Sequence, residues 1–129
     1  MKYEDILKEC EQMQAELECV IPTDGDLVVE HATKLASYLA RSGYLLAEAK
    51  KIVRIKKSSE ISDMIANIAK ESFLSAKTQN ALVDSIASEE MYLVDWLDRL
   101  NAGFTHTIDL CRSIISKNKE ELKLIKTGY

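Results

Sequence analysis

Lys50, Lys51, Arg54, Lys56 and Lys57 put five cations into eight residues, the densest concentration of one charge in the chain. A run of this kind neutralises several phosphates of a nucleic-acid strand, and Tyr38, Arg41 and Tyr44 lie upstream with the chemistry that stacks on unpaired bases. At helical spacing, however, the five cations spread around the whole circumference and share no face. The same residues also suit a plainer role, because cations at a helix C-terminus complement its dipole and keep an exposed tip in water.

The other chemistry-bearing residues are sparse. Glu89, Glu90, Asp95 and Asp98 resemble the acidic clusters with which helical magnesium-dependent nucleotide pyrophosphohydrolases bind metal and activate water. That pattern calls for a second acidic pair on a neighbouring helix, and Glu60 and Asp63 are the available substitutes; the alternative is a set of solvated carboxylates pairing with Arg99 across one turn. Cys10, Cys19 and Cys111 are an odd number without C-x-x-C spacing, which argues against a disulfide framework and a zinc site and leaves buried, inert thiols as the expectation. His31 and His106 have no carboxylate three residues before them and are expected at a seam edge and on an outer face. Between residues 26 and 102 the only glycine is Gly43, so a phosphate-cradling loop has nowhere to form. No metal, cofactor or catalytic set is implied.

The elements that must position these residues follow from composition. The chain has 129 residues, 47% hydrophobic and 29% charged, as expected of one globular domain. Four glycines and one proline leave too little turn chemistry for a sandwich, barrel or doubly wound sheet, so the protein is expected to be mostly helical. No apolar run approaches the ~20 residues of a membrane span, and the opening MKYEDILKEC is acidic where a targeting segment is basic or apolar; we expect a cytoplasmic protein without a membrane partner. The formal charge of −4 hides four blocks: net −7 over residues 1–30, +6 over 31–57, −5 over 58–100 and +2 over 101–129. Acidic and basic helices can therefore attract one another within a molecule or between copies.

A first helix is expected over 2–20, with Ile6, Leu7, Cys10, Met13, Leu17 and Val20 at three- and four-residue steps, stopped by Pro22. Thr23 with Asp26 gives a capping-box-like start to a second, over 26–57. There Val28, Ala32, Leu35, Leu39, Ser42, Leu46, Ala49 and Val53 hold a four-three alternation, a coiled-coil-like seam. Beside it run a strip of small residues, Ala36, Ala40, Gly43 and Ala47, and on the nominally wet side a mixed strip, Lys34, Tyr38, Arg41, Leu45, Glu48 and Ile52. Shorter helices follow over 59–70, with Ile61, Ile65 and Ile68 in phase, and over 76–87. A last long helix over 89–125 carries Leu93, Leu97, Leu100 and Phe104, with Trp96 at the edge of the core and Gly128-Tyr129 frayed.

The order of elements resembles that of small helical accessory proteins of phages and mobile elements, above all the UvsY-type recombination mediators. The matching pieces are the amphipathic opening Tyr3-Glu4-Asp5-Ile6-Leu7, the basic run that ends the second helix, and the closing helix reached through Leu74-Ser75-Ala76. The resemblance implies helical oligomers that load a recombinase onto single-stranded DNA, with Lys50, Lys51, Arg54, Lys56 and Lys57 as DNA contacts. The residues themselves point to a single all-α domain over 1–129, an elongated helical bundle or long hairpin with coiled-coil-like seams. The interaction seam is expected to use Val28, Leu35, Leu39, Leu46 and Val53 with Leu93, Leu97, Leu100 and Phe104. We expect a non-enzymatic, homo-oligomeric scaffold or adaptor, with a single-stranded nucleic-acid accessory protein and a metal-dependent nucleotide pyrophosphohydrolase as alternatives.

Overall fold

A computed structural model of the chain describes residues 1–126, and the fraying expected of Gly128 and Tyr129 lies outside them. Five α-helices follow in chain order: α1 (Tyr3–Leu17), α2 (Gly25–Lys57), α3 (Glu60–Glu71), α4 (Ala76–Ile86) and α5 (Ser88–Lys126). Among the described residues there is no strand, and the fold is all-α as the scarcity of turn residues requires.

α2 and α5, of 33 and 39 residues, run antiparallel over roughly 50 Å. Their register is read from side-chain bonds at both ends and the middle: Lys56 to Glu90, Asn101 to Ser42, and Asn118 to the carbonyl of Thr23. α1 lies against this pair and closes a three-helix core of Ile6, Cys10 and Met13 with Leu35, Leu45, Ala49, Leu97, Leu100 and Phe104. Leu17 at the end of α1 packs over Gly103 of α5, where a Cβ would sit 2.9 Å from Leu17 Cδ1 and make that side chain shift. α3 and α4 pair with each other beyond this core, and α4 also touches α2.

The local endings explain the boundaries. α1 stops at Leu17, so Val20 is 91% exposed and does not continue the apolar stripe as the sequence pattern predicts. Asp24, not Thr23, precedes the first turn of α2, and its side chain makes no capping bond; the Thr23–Asp26 box does not form because the helix starts one residue too late for it. Ser75 does cap α4, accepting from the Thr78 N–H at 3.2 Å.

α3 ends in a Schellman motif, with the Leu74 N–H donating to Ala69 O and the Phe73 N–H to Lys70 O, both at 3.0 Å. The motif needs a left-handed residue at its hinge, and that residue is Phe73, at φ 56°, rather than glycine.

Packing corrects two further expectations and orients α3. Leu39 and Leu46 are only half-buried, whereas Leu45, from the strip expected to be wet, is fully buried. The reason is α1, which covers that side of α2. Cys19 is exposed, unlike the buried Cys10 and Cys111, because it lies past the end of α1. In α3, Ile61 and Ile68 face solvent while Ser62 and Ala69 are buried, so the small face meets α4 and the apolar face is left open.

Candidate interaction surfaces

The structure separates the eight side chains expected at a nucleic acid. Lys56 Nζ donates to Glu90 Oε1 at 2.6 Å, and Lys57 pairs with Asp84 at 2.9 Å, which ties the end of α2 to α5 and α4. Arg41 grips Glu9 through both carboxylate oxygens, at 2.7 and 2.8 Å, and holds α1 onto α2. Lys34 and Glu16 add a second such clamp at 2.9 Å. The hydrogen bonds to Glu16, Glu9 and Glu90 raise the pKa values of Lys34, Arg41 and Lys56 above their ordinary values. Tyr38 stacks on Phe104 with ring centroids 5.7 Å apart, so its ring belongs to the core edge. Tyr44 is exposed beneath the Arg41 guanidinium, 5.2 Å from its ring centre.

Lys50, Lys51 and Arg54 remain exposed, with no ion-pair partner among the described residues. The basic run is thus divided, with two of its five cations paired inside the molecule and three facing water.

The acidic residues do not converge. Glu89, Asp95 and Asp98 are exposed around α5, Glu90 is buried against Lys56, and Glu60 and Asp63 are exposed on α3. Among the described residues no group of three His, Cys, Asp or Glu side chains is placed to hold a metal ion. Glu90 Oε2 is buried with no hydrogen-bond partner, so Lys56 is its principal compensation. Nearby, burial and then the charges of Glu89 and Glu90 raise the Tyr3 phenol pKa. Burial pushes the Cys10 thiol up to about 11 and also raises that of Cys111, so both are thiols rather than thiolates near neutrality.

The expected seam residues are largely brought together: Val28, Leu35 and Val53 of α2, and Leu93, Leu97, Leu100 and Phe104 of α5, are all buried. They are the inside of one molecule. What lies outside is a different apolar surface, of which the sequence pattern marks Ile61 and Ile68 as in phase. On α3, Ile61, Met64 and Ile68 are 62%, 61% and 59% exposed, and Phe73 at the hairpin tip is 94% exposed. The signal for it in the sequence is the amphipathicity of α3, a short helix whose apolar positions Ile61, Met64 and Ile68 share one side.

Compared with protein-family models, curated proteins and solved structures, the chain matches none. No helix among the described residues is long and apolar enough to cross a membrane.

Proposed function

We propose that this chain is a non-enzymatic helical scaffold that assembles with copies of itself. The observation that carries this reading is the open face of the α3–α4 hairpin. Ile61, Met64, Ile68 and Phe73 present neighbouring large apolar side chains to water, which a monomer has no folding reason to do. Phe73 adds a second cost, since a bulky residue is held in a left-handed conformation that glycine occupies freely. An exposed aromatic side chain is suited to anchor another molecule, because burial in a partner removes its apolar surface from water.

The remaining structure supports the role. α1, α2 and α5 share one core and are clamped by ion pairs, so the hairpin is displayed from a firm body. The single-strand-binding alternative retains Tyr44, Lys50, Lys51 and Arg54 as accessible side chains, and the dispersed carboxylates give no support to a metal-dependent hydrolase.

Sedimentation velocity from ~1 to ~100 µM tests the proposal, with mass rising above 14.5 kDa as the expected result. Ile68→Asp puts a carboxylate on the apolar face without touching the buried core, and is expected to weaken association by about tenfold or more. A 14.5 kDa species at every concentration overturns the reading.

A further inference from the structure

One long face of α2 is left largely open by α1 and α5, bordering α5 at Gly43, where a Cβ would lie 3.8 Å from Asn101 Nδ2. Val29, Thr33, Ala36, Ala40, Gly43 and Ala47 follow one another at alternating four- and three-residue steps, and all six are exposed. Asp26 continues the same spacing at the N-terminal end, and Lys50 and Arg54 continue it at the C-terminal end, again exposed. The face lies about a third of the circumference round from the buried Leu35, Ser42 and Ala49, on the side away from Arg41 and its α1 partner Glu9. It is a second heptad seam on a helix whose first seam is already occupied.

The charges specify what fits it. Asp26 stands at one end, and Lys50 and Arg54 at the other, with none of the three in an ion pair among the described residues. Glu30 and Lys51, beside the seam at its two ends, are likewise exposed and unpaired. Residues 26 and 54 are equidistant from Ala40, as are 30 and 50. A second α2 laid antiparallel across Ala40 therefore meets acid with base at both ends, while a parallel one meets like with like. The small side chains in the middle let two helix axes approach to the short end of the usual 8–10 Å range, and antiparallel packing also opposes the two helix dipoles.

We infer that this face is a dyad-symmetric docking site for a second copy of the chain, with α2 antiparallel to its counterpart and the two-fold axis near Ala40. The inference rests on the self-association reading and adds an interface separate from the α3–α4 hairpin. It gives each molecule two contact surfaces, so that a dimer formed through one can be extended through the other.

The test is a charge-exchange series in sedimentation, with circular dichroism confirming that each variant is folded. Ala40→Arg brings two guanidinium groups together at the axis while keeping high helix propensity, and is expected to abolish the α2 contact. Asp26→Arg and Arg54→Asp each create two like-charge pairs in an antiparallel dimer, and each alone is expected to weaken it by about tenfold. Mixed in equal amounts the two single variants are complementary at both ends, and the double variant Asp26→Arg/Arg54→Asp is complementary to itself; both are expected to recover wild-type association. Single charge variants that associate as wild type overturn the antiparallel arrangement. Association that survives Ala40→Arg but is lost in Ile68→Asp overturns this interface and leaves self-association standing, whereas a wild-type monomer at ~100 µM overturns both.

Discussion

Replacing Phe73 with glycine should stabilise the fold and weaken the assembly at the same time. The left-handed conformation costs an L-residue roughly 1–2 kcal/mol, and glycine does not bear that cost. At 94% exposure the Phe73 ring contributes little burial to its own molecule, so its removal forfeits little. Against this stands the greater freedom of glycine in the unfolded chain, a loss of roughly 0.5–1 kcal/mol. The net expectation is a gain of about 0.5–1 kcal/mol, or about 2–4 °C in Tm for a domain of this size. Urea denaturation at submicromolar concentration measures it without a contribution from association. Phe73→Ala is the control, since it removes the ring but keeps a Cβ in the strained geometry. It should leave stability within about 0.5 kcal/mol of wild type and weaken association as much as glycine does. A Phe73→Gly variant less stable than wild type would refute the strain argument, and unchanged association in both variants would refute the anchor.

Three further outcomes follow from the packing. Leu45→Ala is expected to cost about 2–5 kcal/mol, and Leu39→Ala clearly less, because Leu45 is fully buried and Leu39 only in part; equal costs in denaturant titrations would place α1 wrongly. A thiol reagent at neutral pH should label Cys19 in the native protein, with Cys10 and Cys111 reacting only after unfolding, as mass spectrometry of the labelled chain would read directly. In anisotropy titrations of a labelled single strand, the accessible Lys50, Lys51 and Arg54 limit the slope of log affinity against log salt to about −2, where all five cations would give about −3.5; the steeper slope would show that Lys56 and Lys57 leave their carboxylates.

The parts of this fold legible in the sequence are those fixed by spacing along one helix. The four-three alternation through Val28, Leu35 and Val53 marks a buried seam because any partner must meet that stripe, and all three are buried. What spacing does not specify is which neighbour covers which side. Leu45 shares a strip with Lys34 and Arg41, and the strip reads as wet until α1 is laid over it, when the two cations reach across to Glu16 and Glu9 and Leu45 goes under. Ser42 is the converse case, a polar residue fully buried in the seam because its hydroxyl donates to Leu39 O at 2.8 Å and accepts from Asn101 at 3.0 Å. The α3 stripe is a third case. Periodicity locates an apolar face, but it points inward only where there is a core to meet, and α3 lies beyond the reach of α1.

The alternating charge blocks now acquire a physical purpose. Lys34 and Arg41 from the basic block neutralise Glu16 and Glu9 of the first acidic block, and Lys56 and Lys57 neutralise Glu90 and Asp84 of the second. These pairs favour the assembly of one molecule, for the first two join α2 to α1, the third joins it to α5 and the fourth to α4. Among them Lys56 is the least dispensable, since removing it leaves the buried Glu90 carboxylate without its principal compensation. Its raised pKa gives the sign of the pH dependence: the contribution is complete below the ordinary lysine value of 10.5 and is lost as pH rises through the higher folded value. On the open face of α2 the charges left over divide by end. Asp26 and Glu30 lie at one end of α2, and Lys50, Lys51 and Arg54 at the other. Charge that is fully used within the molecule has no bearing on partners, so the unspent charge is the part that selects them. Its inversion from one end of a single helix to the other is complementary to the same helix turned end for end.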